Sequence, residues 1–365
     1  MSFVDLQLAS VIKQKVEEAM RDRGHATVLI AGRSGVGKST LINAVFQGRL
    51  AETGQGRPVT QEIREYEKPG LPISLIDTRG LELAHYGETL GQLEKLIRDR
   101  QRDKDPNRHV HCGWVCLTED SRRVDPGESA IVELLARNHV PVIAVVTKAR
   151  ADQGFRAEVQ RLLPLAANVV SVRAIHETLD EGHELPPKGL TELVDLTMDV
   201  IPEGQKTAFV AAQRVSLVMK QRRARSVVVG AAASAALVGA APIPFADAAL
   251  LVPIQVSMLA GVSAVFGLEM TEALLGTLLS SVTGTAGATF AGRAIVGGLV
   301  KLIPGIGSAV GGMISGATAA TITTTLGESY VLVLSRLAES SHGEAPSPET
   351  IAKSLADALA EREKK

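Results

Sequence analysis

The stretch LIAGRSGVGKSTLINAVF, residues 29–46, decides the fold of the first half of the chain. Its centre, residues 32–39, satisfies the eight-residue pattern GxxxxGK[ST] that is typical of phosphate-binding loops. The apolar run before it and the helical pattern after it predict a strand, a glycine-rich loop and a helix in that order. Such a loop points backbone N–H groups and the positive end of the helix at a bound phosphate.

The residues of this loop have separate predicted roles. Lys38 is expected to bridge the β- and γ-phosphates and to act in catalysis, and the hydroxyl of Ser39 is expected to ligate Mg²⁺. The predicted phosphate-binding residues are Gly32, Arg33, Ser34, Gly35, Val36, Gly37, Lys38, Ser39 and Thr40.

A second motif, SLIDTRG, follows at residues 74–80. Asp77 ends an apolar strand, where its carboxylate is expected to hold Mg²⁺, and the Gly80 amide is expected to contact the γ-phosphate. That contact is lost on hydrolysis, so this segment is predicted to be a switch. In the polar loop before it, Thr60 is the candidate that closes on Mg²⁺ and the γ-phosphate; an ordinary surface loop is the alternative.

Five short apolar runs, rich in β-branched residues, alternate with charged helical patterns in the first 200 residues: ATVLIAG, ISLID, HVHCGWVCL, PVIAVVTK and NVVSV. Apolar runs that do not alternate with polar residues, and that helices separate, are typical of parallel strands covered on both faces. The sequence therefore predicts an α/β P-loop NTPase domain with a mostly parallel sheet and helices on both faces.

The motifs GRSGVGKSTLIN, DTRG and VVTK, in this order and spacing, resemble the translation-factor class of P-loop GTPases, and most closely its Era-like, septin-like and immunity-related groups. The resemblance covers about residues 24–200 and implies GTP/GDP and Mg²⁺ as ligands. It also implies that Thr147, Lys148 and Ser171 contact the base. The family has an aspartate where this chain has Arg150. Asp152 is an alternative acceptor for the guanine protons if the loop is longer.

Hydrolysis needs a group that the family usually supplies as a glutamine after Gly80, where this chain has Leu81. Leucine cannot orient a water molecule, so slow intrinsic hydrolysis is expected. Gly35 occupies the position of the asparagine through which some relatives recruit potassium. The remaining sources are an arginine in cis, with Arg79 and Arg33 as candidates, or a second subunit of a homodimer formed through the nucleotide face.

One long segment of the second half is almost uncharged: residues 226–327 contain only five charged side chains, Asp247, Glu269, Glu272, Arg293 and Lys301. A basic cluster, residues 220–225, precedes this segment, as at the cytoplasmic boundary of a membrane. We expect apolar helices that insert as hairpins or bind the membrane surface; the alternative for the basic cluster is the solvated end of a long helix. Residues 205–335 resemble the helical domain, of unknown activity, of YcjF-like membrane proteins.

Composition limits the remaining choices. The chain has 39 basic and 40 acidic residues, so no DNA partner is expected, and its start lacks the features of a signal peptide. His109, His111, Cys112 and Cys116 are interpreted as sheet packing, not metal ligands. The predicted division is an N-terminal amphipathic helix (1–23), a G domain (24–203), a basic helical hinge (204–225), an apolar all-α, membrane-associated domain (226–335), a linker (336–348) and a C-terminal helix (349–365).

The sequence thus predicts a GTPase at the cytoplasmic side of the inner membrane, with membrane lipid as its partner. Two alternatives remain open at this point. One is a ribosome-associated Era-like GTPase, and the other is a nucleotide-stabilised scaffold with little turnover.

Overall fold

The computed structural model describes residues 3–46, 57–58, 63–78, 86–179, 182–239, 247–271, 274–275, 277–278, 315–340 and 345–363. The chain divides into two compact units. One unit, here the nucleotide unit, is Gly24–Ser216. The other, here the helical unit, combines Met1–Arg23 with Leu217–Lys365.

Seven strands among the described residues of the nucleotide unit form one sheet, in the order β2-β3-β4-β1-β5-β6-β7. The four pairings from β4 through β1, β5 and β6 to β7 are parallel, whereas β2 and β3 are antiparallel to their neighbours. The predicted mostly parallel sheet is therefore confirmed. The strands are β1 (Ala26–Ala31), β2 (Arg57–Pro58), β3 (Ile63–Glu67), β4 (Ile73–Thr78), β5 (Cys112–Thr118), β6 (Val142–Thr147) and β7 (Asn168–Ser171). A separate hairpin pairs β8 (Glu177–Thr178) with β9 (Glu184–Leu185).

Burial explains why these runs form strands. Every residue of β1, β4 and β6 is buried, as expected for strands that are covered on both faces. Six described helices of this unit supply that cover: α2 (Lys38–Val45), α3 (Tyr86–Gln101), α4 (Pro126–Arg137), α5 (Phe155–Leu162), α6 (Leu190–Val200) and α7 (Glu203–Ala212).

An aromatic cluster fixes the end of α2. Phe46, the residue after this helix, stacks on Trp114 of β5 with ring centroids 5.6 Å apart, and it meets Phe209 of α7 edge-on at 5.9 Å. Trp114 is fully buried, and its Nε1–H donates a hydrogen bond to Thr197 Oγ1 of α6 at 3.1 Å. The helix that starts at the phosphate loop thus ends against the core.

The helical unit contains α1 (Phe3–Asp22), α8 (Leu217–Gly239), α9 (Asp247–Val265), α10 (Gly316–Ser340) and α11 (Pro348–Glu363). α8 packs on both α9 and α10, and α1 packs on α9. Small residues allow this packing: a Cβ added at Gly327 of α10 would lie 2.6 Å from Val228 Cγ1 of α8. One buried polar contact joins α9 to α10, where Ser263 Oγ and Tyr330 Oη are 2.8 Å apart.

The observed units differ from the expected division in three places. α1 belongs to the helical unit, and residues 204–216 belong to the nucleotide unit. The basic cluster does not form a separate hinge, because α8 continues from Leu217 through Arg225 to Gly239. An amphipathic pattern shows that a helix has a buried face but not which body buries it, so the sequence could not place α1.

Several expectations about the apolar half concern residues that lie outside those described, among them 279–314. Within the described ranges, no helix has both the length and the apolarity that a membrane crossing requires. α9 continues through Pro253 and begins at Asp247, whose side chain is not among those described.

Candidate nucleotide-binding site

The phosphate loop lies between β1 and α2, and three glycines give it its shape. Gly32, Gly35 and Gly37 have φ angles of +146°, +77° and +98°, a region that residues with a side chain rarely adopt. A Cβ at Gly32 would also lie 2.4 Å from the carbonyl oxygen of Cys116. The loop can therefore follow this tight path only with glycine at these positions.

Lys38 lies at the centre of the loop. Its side chain is buried, and Nζ donates hydrogen bonds to the carbonyl oxygens of Gly32 at 2.8 Å and Arg33 at 3.1 Å. Lys38 is also the first residue of α2, whose first-turn amides have no partner within the helix. Ser39 and Thr40, in that turn, are exposed. The loop is thus a cationic cradle of N–H donors that is suited to a phosphate group.

Thr147, at the end of β6, connects the phosphate loop to the segment that is predicted to contact the base. Its Oγ1 lies 2.5 Å from the carbonyl oxygen of Val36 and 3.0 Å from that of Leu117, and it donates to one of them at a time. This buried hydroxyl holds Val36 of the phosphate loop to the ends of β5 and β6.

Two described residues have the oxygen chemistry that Mg²⁺ prefers. Asp77 lies near the carboxyl end of β4, next to Ile30 of β1, and is 6% exposed. Ser39 is the second residue of α2 and is exposed. A carboxylate and a hydroxyl at the edge of a phosphate cradle fit an ion that is bound mainly through phosphates and water. Thr60, Arg79 and Gly80 lie outside the described residues, so their predicted roles stay predictions, as does the effect of Leu81.

A cavity of about 220 Å³ lies beside the loop. The predicted base-contacting residues Thr147 and Lys148 line it. Ser171, the end of β7, does not line it; the next residues along the chain do. The other lining residues are Gly37, Thr40, Leu41, Val172, Arg173, Ala174, Ile175, His176 and Glu177. Apolar walls with a few polar groups are typical of a small-molecule site.

A buried carboxylate that the sequence analysis missed supports the loop after β6. Glu119 Oε1 accepts hydrogen bonds from the backbone N–H groups of Ala151 at 2.9 Å and Asp152 at 3.2 Å. This loop needs support because Lys148, Asp152 and Gln153 all have positive φ angles. The sequence feature that could have identified Glu119 is its position directly after the apolar strand β5, at the same end of the sheet as the phosphate loop.

Arg173, which lines the cavity, connects two separate backbone segments. Arg173 is 6% exposed and donates to the carbonyl oxygens of Ala149 at 2.8 Å and Pro186 at 2.7 Å. Asp152, the alternative base acceptor, does not line the cavity; its Oδ1 accepts the Arg156 N–H at 2.9 Å, near the start of α5.

Arg150, the residue in place of the family's aspartate, forms an ion pair with Glu177. Arg150 Nε lies 3.1 Å from Oε1 and 3.2 Å from Oε2, and Nη2 also donates to Oε1. The ion pair joins the segment after β6 to β8.

The histidines and cysteines before and within β5 are packed as structural residues. The Thr27 N–H donates to His111 Nδ1 at 2.8 Å, and His111 Nε2 lies 2.9 Å from the carbonyl oxygen of Pro106. Burial lowers the pKa of His111 to about 4. Both cysteines are buried free thiols, and burial raises the pKa of Cys116 to about 12. Over the described residues, no group of three or more His, Cys, Asp or Glu side chains could hold a metal ion.

Two protein-family models match the chain, one in each half. Residues 27–148 match the family described as "50S ribosome-binding GTPase". Residues 205–361 match a "Domain of unknown function (DUF697)". The predicted combination of a GTPase domain with a helical domain of unknown function is therefore confirmed, and the second match extends beyond residue 335.

Two curated relatives each match part of the chain. The tRNA modification GTPase MnmE of Desulfotalea psychrophila is 30% identical over 154 residues, which is 40% of this chain and 31% of that protein. GTPase Der of Rhizobium etli is 32% identical over 135 residues, which is 35% of this chain and 27% of Der. The chain thus spans less than a third of the length of either relative.

Solved structures of GTP-binding proteins are also similar. The probable GTP-binding protein engB shares 19% identity at a TM-score of 0.35, with 48% of this chain and 98% of that chain covered. The cytosolic domain of the T. maritima FeoB iron transporter in a GDP form shares 16% identity at a TM-score of 0.30, with 92% and 98% covered.

Proposed function

We propose that this chain, which joins a P-loop GTPase domain to a DUF697 domain, binds GTP and hydrolyses it to GDP and phosphate at a membrane surface. The observation that carries the nucleotide half of this proposal is the phosphate loop with Lys38 at its centre. The backbone of this loop is closed by three glycines with positive φ angles and is held at Val36 by Thr147. A cavity lined by Thr147 and Lys148 adjoins it.

In this proposal, different residues bind the phosphates, the Mg²⁺ ion and the base. Amides of the loop and of the first turn of α2 bind phosphate oxygens, and the ammonium group of Lys38 balances their charge. Ser39 and Asp77 would hold Mg²⁺, which would supply neutralisation of the phosphate charge. The walls formed by Leu41 and Val172 bury the faces of the base.

Hydrolysis is slow in this proposal because Leu81 cannot orient a water molecule. The missing group comes from Arg79 or from a second copy of the chain that docks on the nucleotide face. Arg33 is less available, since its Nη1 lies 2.5 Å from Asp125 Oδ2 in an ion pair. Turnover per molecule that rises with protein concentration supports the dimer, and constant turnover argues against it.

The membrane half of the proposal rests on α8. Its buried stripe is Lys220, Ala224, Val228 and Ala235. On the exposed side, Val229 is 67% and Leu237 is 76% exposed. Arg222 and Arg225, both exposed, lie one to four turns closer to the start of the same helix, and Arg225 Nε also lies 3.3 Å from Glu328 Oε2 in an exposed ion pair. Exposed apolar side chains next to basic ones favour an anionic lipid surface over water.

Backbone hydrogen bonds within the nucleotide unit connect the end of α2 to residues 213–214, just before α8. They support coupling between nucleotide binding and membrane binding. The Arg214 N–H donates to the carbonyl oxygen of Val45 at 2.9 Å, and Phe46 pairs with Gln213 in an isolated bridge. Val45 ends α2, which begins at the phosphate loop, and α8 begins at Leu217. We propose that nucleotide-dependent movement of α2 reaches α8 through residues 213–216.

The proposed GTPase activity is tested with Lys38→Ala in the full-length protein. Loss of the ammonium group should abolish measurable phosphate release and weaken GTP binding, because Lys38 Nζ is the cation that the carbonyl oxygens of Gly32 and Arg33 hold within the loop. Lys104→Ala, an exposed lysine outside the site, is the matched control and should keep wild-type turnover. Tight GTP binding by the wild type without any phosphate release would instead favour a nucleotide-stabilised scaffold.

A further inference from the structure

The ion pair between Arg150 and Glu177 places a carboxylate at the cavity where the family's aspartate is missing. Arg150 contacts both carboxylate oxygens of Glu177. Each oxygen has two acceptor positions, so the carboxylate can still accept further hydrogen bonds. The carboxylate is therefore held in place and keeps acceptor capacity.

Glu177 is the single acidic side chain among the described residues that line the cavity. The other charged or titratable lining groups are Lys148, Arg173 and His176. Arg173 is engaged with backbone carbonyl oxygens, and His176 Nε2 lies 3.5 Å from Glu184 Oε2. Hydrogen bonds from Arg150 lower the pKa of Glu177, which keeps it ionised at neutral pH.

The chemistry of the base then decides what this carboxylate recognises. Guanine carries two adjacent donors, N1–H and the 2-amino group, which together match one carboxylate. Hypoxanthine lacks the 2-amino group, xanthine replaces it with a carbonyl oxygen that repels a carboxylate, and adenine has no donor at N1. A fixed carboxylate therefore selects guanine over all three.

We propose that Glu177, positioned by Arg150, accepts the N1–H and 2-amino hydrogen bonds of guanine and is the specificity-determining residue of this site. This inference rests on the proposed function, in which the cavity holds the base of GTP or GDP. Arg150, which stands where the family has its aspartate, is 27 residues from Glu177 in the chain, and the ion pair brings the two residues together.

The test measures dissociation constants of GDP, IDP, XDP and ADP for the full-length protein with Mg²⁺, by calorimetry. A hydrogen bond to a charged group contributes enough for roughly a 10- to 100-fold preference. The wild type should prefer GDP over IDP by this factor. Glu177→Ala should bind GDP and IDP about equally. Glu177→Gln should shift the preference towards XDP, because its amide N–H₂ can donate to the xanthine carbonyl, a gain that misfolding cannot produce.

The matched control is Glu184→Ala in the paired strand β9, which should keep the wild-type ratio of GDP to IDP affinity. An unchanged ratio in Glu177→Ala, with GDP binding retained, overturns this inference and leaves the proposed function standing. Failure of the wild type to bind guanine nucleotides, or equal binding of ADP and GDP, overturns the inference and the proposed nucleotide specificity together.

Discussion

At the scale of single residues, His111 links the stability of the nucleotide unit to pH. Its Nδ1 accepts the Thr27 N–H of β1, and this bond requires an unprotonated nitrogen. Burial is the main reason why the pKa of His111 falls from 6.5 to about 4 in the folded protein. Because the folded pKa is lower than the unfolded one, the stabilising effect is full above pH 6.5 and is lost as the pH falls through 4.

His111→Gln should remove this pH dependence. A glutamine amide can accept from Thr27 and donate to Pro106 without titrating. The free energy of unfolding of the wild type should lose about 3 kcal/mol relative to the variant between pH 6.5 and 4, at 1.36 kcal/mol per pKa unit. Urea titrations that follow Trp114, the single tryptophan of the chain, report on this unit.

The difference between the two proteins isolates His111 from other titrating groups. Burial raises the pKa of Glu128 to about 7, so its contribution is present below pH 4.5 and is lost as the pH rises through 7. That opposite trend occurs in both proteins and cancels in the difference. Parallel pH profiles for the wild type and His111→Gln would show that His111 does not titrate as described.

Residues of the site differ in how far the sequence could predict them. The positions from Gly32 to Ser39 form a local motif, because a loop between a strand and a helix is built from consecutive residues. Glu119 and Glu177 contact the loop after β6 through hydrogen bonds across 32 and 27 residues. Such contacts depend on which strand ends meet in the sheet, and no local pattern contains that information.

At the scale of elements, strands were easier to predict than their order. The five apolar runs became β1, β4, β5, β6 and β7, because burial on both faces requires continuous apolar residues. The short antiparallel edge formed by β2 and β3 carries Arg64 and Glu65 within it and shows no such run. Glu65 is buried and pairs with Arg100 of α3 at 2.7 Å, a long-range contact that no local pattern contains.

Two glycines of the helical unit lie in different surroundings, so we expect alanine to have opposite effects on stability at the two positions. At Gly327 of α10, an added Cβ would lie 2.6 Å from Val228 Cγ1 and 2.8 Å from Met258 Sδ, whereas nothing lies within 4 Å at Gly230 of α8. Gly327→Ala should destabilise the unit by about 1–2 kcal/mol through overpacking. Gly230→Ala should stabilise it by about 0.5–1 kcal/mol through helix propensity.

Hydrogen exchange of peptides from α10 measures both effects, with faster exchange expected for Gly327→Ala and slower exchange for Gly230→Ala. The urea transition followed by Trp114, which lies in the nucleotide unit, provides the internal control and should not move. Two variants that change exchange in the same direction would contradict the close approach of α8 and α10.

At the scale of the whole molecule, the sequence divides chemistry between two bodies. The nucleotide unit contains the phosphate loop and most of the charged residues, while residues 226–327 carry five charges. Because residues 226–327 carry few charges, the proposed contact of this segment with lipid would bury few ions, each of which costs several kcal/mol. α8 spans the change in composition, because it carries Arg222 and Arg225 and then Val229 and Leu237.

Flotation of the full-length protein with vesicles tests the membrane proposal at this scale. The wild type should float with vesicles that contain phosphatidylglycerol, and less with phosphatidylcholine alone or at high salt, because screening weakens attraction to Arg222 and Arg225. Val229→Ser with Leu237→Ser should reduce the bound fraction at least tenfold, since each apolar side chain that enters lipid contributes about 1.5–3 kcal/mol. Both residues are exposed, so the fold should be unaffected.

The matched control is Leu165→Ser, an exposed leucine of the nucleotide unit that should not change flotation. The same measurement with GTP and with GDP examines the coupling through residues 213–216. A difference between the two nucleotides is expected because Val45, at the end of α2, is bonded to Arg214, three residues before α8. If the double variant floats as the wild type does, α8 does not bind lipid. If the double variant floats less but the wild type floats equally with GTP and with GDP, the membrane proposal stands and the proposed coupling is wrong.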